Sequence, residues 1–112
     1  MNSKVRVAVR FIMDNLHRDI YVDEVAQFVR LSRSRFCRLF KSEVGMPFTD
    51  YLKKHRMEEA CRLLETSIEA VKAISYEVGY NDPAYFESEF KKAYGLTPSQ
   101  YRANHFTDTY RE

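Results

Sequence analysis

Four side chains on one short segment share a spacing that suits a polyanion. Ser34, Cys37, Arg38 and Lys41 fall at i, i+3, i+4 and i+7, one stripe of a helix, with Arg33 and Arg35 flanking it. Residues 32–44 carry four cations against one carboxylate, a net charge of +3. An arginine can fork two hydrogen bonds onto the O6 and N7 of guanine, which makes Arg38 the first base-reading candidate. Ser34 and Cys37 are small enough to let the helix approach closely and join it as candidates. Arg33, Arg35 and Lys41 suit phosphate oxygens, which position a protein without reading sequence. The other edge of the segment is apolar: Phe36, Phe40 and Val44 at i, i+4 and i+8, widened by Leu39. One side docks the helix and the other faces outward.

Helical elements must position these groups. Val5, Ala8, Val9, Ile12 and Leu16 form an apolar stripe that predicts a helix over 4–17. Val22, Val25, Ala26 and Val29 predict a short helix over 22–29, and "RLS" then makes a tight turn. Ser32 is the N-cap of the helix 33–44, and Gly45 ends it. Leu52, Ala60, Leu63 and Leu64 predict a long helix over 48–66, followed by a short one over 69–78 that Gly79 closes. Asp82 caps the next helix, with Pro83 in the first-turn slot, and Gly95 stops it after Tyr94. Pro98 opens a last helix to about 106, and 107–112 read as a frayed tail. No strand-like alternation of useful length occurs, so the fold class is all-α with about seven helices.

The chain has 112 residues, enough for one domain but not for a scaffold with a large buried active site. No apolar run approaches the roughly 20 residues of a membrane span. The first 30 residues lack the pattern of a signal peptide, so cytoplasmic placement is the expectation. Cys37 and Cys61 form no C-x-x-C pair, His17, His55 and His105 have no metal-ligand spacing, and no phosphate-binding glycine loop occurs. No cofactor, metal site or enzyme activity is expected. Charge is distributed unevenly. Residues 1–56 hold twelve Lys/Arg and six Asp/Glu, while 57–112 hold six and ten, so the halves carry +6 and −4.

The chain also repeats itself. "FCRLFKSEVGMPFTDY" (36–51) aligns with "FESEFKKAYGLTPSQY" (86–101) at an offset of 50, matching Phe36, Phe40, Lys41, Gly45 and Tyr51 to Phe86, Phe90, Lys91, Gly95 and Tyr101. Upstream, Val22, Val25 and Val29 match Val71, Ile74 and Val78 at an offset of 49, so the second turn is one residue longer. Each copy reads as short helix, tight turn, longer helix, the helix-turn-helix outline. The long helix between them rises about 27 Å at about 1.5 Å per residue, close to the roughly 34 Å between major-groove segments on one DNA face.

"VGYNDPAYFESEFKKAYGLTPSQYR" (78–102) and "LSRSRFCRLFKSEVGMPFTDYLKKHRMEEACRLL" (31–64) resemble the DNA-binding region of the AraC/XylS family of bacterial transcription regulators. The resemblance covers about residues 5–106. It implies a first helix-turn-helix subdomain over 1–46, a linker helix over 47–66 and a second subdomain over 67–106. It maps the recognition helices to about 33–43 and 83–93, each entering the major groove of double-stranded DNA. RNA polymerase and an N-terminal effector-binding or dimerisation domain outside this chain are the further partners it implies. A stand-alone small regulator and the C-terminal piece of a longer protein both fit, the second better.

Three positions depart from the family pattern. Arg30 stands in the first turn where the family often has glycine, which predicts a turn that is strained or slightly reshaped. Ser75 replaces a small apolar residue. Ser88, inside "ESE" (87–89), stands where the family often has arginine. The second outward stripe is therefore Ala84, Glu87, Ser88 and Lys91, in a segment, 82–94, of net charge −1. Ala84, Glu87 and Ser88 are its base-reading candidates, with Glu87 able to accept from a cytosine N4 amine. A blander reading leaves Glu87 and Glu89 merely solvated. Further phosphate-contact candidates are Ser32, Asn81, Thr97 and Ser99 at helix starts, together with Tyr85 and Lys91. A protein-interaction module that docks a transcription partner through its acidic C-terminal half is the alternative function.

Overall fold

The structure, a computed structural model, describes residues 1–106. The frayed tail expected at 107–112 lies outside the described residues. Among the described residues seven helices run in chain order: α1 (Ser3–Asp14), α2 (Val22–Phe28), α3 (Arg33–Val44), α4 (Phe48–Thr66), α5 (Val71–Glu77), α6 (Pro83–Tyr94) and α7 (Pro98–His105). The described residues contain no strand, and the fold is all-α.

Local chemistry explains most helix ends. The Ser32 hydroxyl accepts from the Arg35 N–H at 3.3 Å, and Gly45 closes α3 at φ 92°. Asp82 accepts from the N–H groups of Ala84 and Tyr85, Pro83 follows it, and Gly95 closes α6 at φ 76°. Thr97 and Gln100 cap each other reciprocally at the start of α7. The helix expected over 4–17 stops earlier, at Asp14. The Asn15 side-chain amide donates to the Phe11 carbonyl at 2.7 Å and its backbone N–H donates to Ile12, which replaces the next helical turn.

Two compact units divide inside α4, one from Met1 to His55 and one from Arg56 onward. The first is built on Val5, Ala8, Ile12, Val25, Phe36 and Phe40, to which α4 adds Phe48 and Leu52. The second is built on Ile74, Val78, Phe86 and Phe90, to which α4 adds Met57, Ala60, Cys61 and Leu64. Each half of α4 thus serves as a core element of its own unit.

The repeat holds in three dimensions. The ring centroids of Phe40 and Tyr51 lie 5.4 Å apart at 82°, and those of Phe90 and Tyr101 lie 5.5 Å apart at 82°. The two turns also close alike. Leu31 N–H bonds to Ala26 and Arg30 N–H to Gln27; Tyr80 N–H bonds to Ser75 and Gly79 N–H to Tyr76. Both are Schellman closures with one left-handed residue, Arg30 at φ 60° and Gly79 at φ 96°. Ser75, the match of Ala26, is fully buried and its hydroxyl donates to the Lys72 carbonyl at 2.6 Å, so the added oxygen is satisfied within its own helix.

Gly45 isolates the backbone contribution of such a position. A Cβ there would meet nothing within 4 Å, so only the left-handed conformation penalises a side chain. Gly45→Ala should therefore lower the unfolding free energy by about 1 kcal/mol in urea titrations. A neutral result would mean that the α3–α4 turn relaxes to another conformation.

Candidate nucleic-acid interface

Helix α3 separates its two faces as its spacing requires. Phe36 and Phe40 are fully buried, while Ser34, Cys37, Arg38 and Lys41 are exposed, with Arg33 and Arg35 exposed beside them. Arg35 and Arg38 flank a shallow hollow of about 300 Å³ floored by Leu31 and Leu39. Neither has an ion-pair partner among the described residues. Arg33 differs: its guanidinium lies 3.6 Å from the Asp23 carboxylate of α2. Phosphate contact by Arg33 must compete with that pairing, though both side chains are exposed and the pair is weak.

Helix α6 repeats the geometry with other chemistry. Phe86 and Phe90 are buried, and Ala84, Glu87, Ser88 and Lys91 are exposed on the outward stripe. Glu89 is not solvated, contrary to the blander reading. It is buried to 8% exposure and lies 3.2 Å from the Lys92 ammonium. The offset of 50 pairs Glu89 with Leu39, a residue on the docking edge of α3, and that pairing is the sequence signal for its inward position. Only Glu87 of the two carboxylates remains on the outward stripe.

The start of α6 is held by aromatic packing that the sequence reading did not single out. Tyr80 lies 5.3 Å from the ring of Phe86 and 6.1 Å from that of Tyr85, and the Arg56 guanidinium sits 5.8 Å above its centre. Burial pushes the Tyr80 hydroxyl up to about 12, against the opposing pull of Arg56. Tyr85 is 56% exposed and Asn81 is exposed. Asp82, not Asn81, occupies the cap of α6, and its carboxylate stands where an anion at that terminus would sit. At α7, Thr97 is engaged in its capping box and Ser99 is exposed.

A family profile described as a helix-turn-helix domain matches residues 25–104. The arabinose operon regulatory protein of Escherichia coli K12 is 35% identical over 104 residues, covering 92% of this chain and 36% of that protein. The chain belongs to the AraC/XylS family. It is a helix-turn-helix DNA-binding domain of the kind that regulates transcription. Among solved AraC/XylS-type structures, the C-terminal domain of AraT, a response regulator from Geobacillus stearothermophilus, superposes with a TM-score of 0.94 at 34% identity, covering 99% of this chain and 93% of that one. The DNA-binding domain of AdpA, a global transcriptional factor in complex with a target DNA, superposes at 0.87 with 29% identity, covering 92% and 93%. The chain spans about a third of the length of the curated AraC/XylS relatives it matches. No helix among the described residues is long and apolar enough to cross a membrane.

Proposed function

We propose that this domain reads double-stranded DNA mainly through α3, with α6 contributing less, in bacterial transcription control. The observation that carries this reading is the pair Arg35 and Arg38, exposed and without an ion-pair partner among the described residues, on the outward face of α3. Arg38 contacts a guanine edge, with Ser34 and Cys37 packed against neighbouring bases. Arg35 and Lys41 hold phosphates, and Arg33 does so by leaving Asp23. On α6, Glu87 accepts from a cytosine amine, Ala84 and Ser88 line the groove, and Lys91 and Tyr85 reach the backbone.

RNA polymerase and an effector-binding or dimerisation domain are the partners we assign to a whole protein built on this domain. The greater length of the relatives supports the second of these.

Selection from a random duplex library at near-physiological salt tests the reading. Two enriched motifs about 10 base pairs apart, the one under α3 carrying more information, are expected. A single motif would show that α6 only steadies the complex. No enrichment, together with salt-insensitive capture of a protein partner, would favour the interaction-module alternative.

A further inference from the structure

Arg30 holds the left-handed conformation at φ 60°, the only non-glycine positive φ among the described residues. Its counterpart in the second turn is Gly79, which adopts the same conformation without a side-chain clash. The fold therefore accepts glycine at this slot, and the first turn keeps a strained arginine. Strain of this kind persists where a side chain is useful, and the inference runs from the outlier to the use.

The surroundings of Arg30 indicate that use. The side chain is exposed and has no carboxylate partner among the described residues. Lys4 of α1 brings a second cation to the same turn, its ammonium 3.5 Å from the Arg30 carbonyl. Arg33, the first residue of α3, follows Arg30 by three residues, which span at most about 10 Å. In a helix-turn-helix the N-terminal end of the recognition helix approaches the bases, so the turn before it lies at the lip of the groove, beside the phosphates.

We propose that Arg30, with Lys4 beside it, contacts a DNA phosphate, and that the strained turn is retained for this guanidinium. The inference rests on the DNA-binding reading above.

The test combines thermal melting with binding to a duplex of arbitrary sequence at several salt concentrations. Arg30→Gly removes both the strain and the charge. It should melt about 4 °C higher while binding more weakly at every salt, with the slope of log affinity against log salt reduced by about one. Arg30→Ala keeps the strain and should show the same loss of slope without the gain in melting temperature. Arg30→Lys should keep the slope. A purely structural residue would move melting and leave the salt slope alone, so an unchanged slope in Arg30→Gly overturns the assignment. If the wild-type chain itself shows no salt-dependent duplex binding, the DNA reading fails and this inference fails with it.

Discussion

Arg38→Ala is expected to cut affinity for the selected duplex roughly tenfold to a hundredfold. A well-formed fork onto guanine contributes about 1–3 kcal/mol, and each 1.4 kcal/mol is about a factor of ten. Arg38 has no ion-pair partner among the described residues to compete for this guanidinium. Its loss should also relax discrimination at one base pair and leave the others unchanged. Arg38→Lys should recover charge but not the fork, and so should restore general affinity more than base preference. Glu87→Ala is the comparison: a carboxylate near phosphates gains less from its one acceptor contact, so its removal should change affinity only a few-fold. Titrations of the three variants against the selected duplex and its single-base variants decide the matter. Equal losses for Arg38→Ala and Glu87→Ala would show that the two recognition helices contribute alike.

Phe40→Ala should remove about 3–5 kcal/mol from the first unit, the usual cost of deleting a buried aromatic ring. Phe40 is fully buried, and its ring faces Phe36 at 5.5 Å, Phe48 at 6.1 Å and Tyr51 at 5.4 Å. A unit of this size holds only about 3–8 kcal/mol in total, so the substitution takes most of it. Each unit has its own core, so the damage should stay local. Hydrogen exchange should then show protection lost over α1, α2 and α3 and kept over α5, α6 and α7. Phe90→Ala should give the mirror result. Equal loss over both sets of helices in either variant would mean that the units fold as one cooperative body.

Both predictions use features legible in the residues. The spacing of Phe36, Phe40 and Val44 against Ser34, Cys37, Arg38 and Lys41 separated the two faces of α3 before any packing was known. Ser32, Gly45, Asp82, Pro83, Gly95 and Pro98 marked helix ends, because caps and left-handed closures depend on a few neighbouring residues. The family resemblance, with its usual glycine in this slot, marks Arg30 for a strained or reshaped turn; the turn closes as the second one does, with Arg30 at φ 60°. The end of α1 was misplaced because the apolar stripe continues to Leu16, while the Asn15 amide, a local competitor for the backbone, stops the helix sooner.

What the amino-acid sequence determined alone was local: seven helices, their caps, the repeat, and which stripe of each helix is apolar. These depend on a helical period of about 3.6 residues and on short-range hydrogen bonding. Tertiary structure decided which charges remain available. It placed Asp23 of α2 beside Arg33, brought Lys4 of α1 to the turn at Arg30, and turned Glu89 inward to the flank of Lys92. It also gave each half of α4 a core to complete. Those outcomes depend on which elements pack together, and a charge meets DNA most readily where the neighbouring helices supply no closer partner.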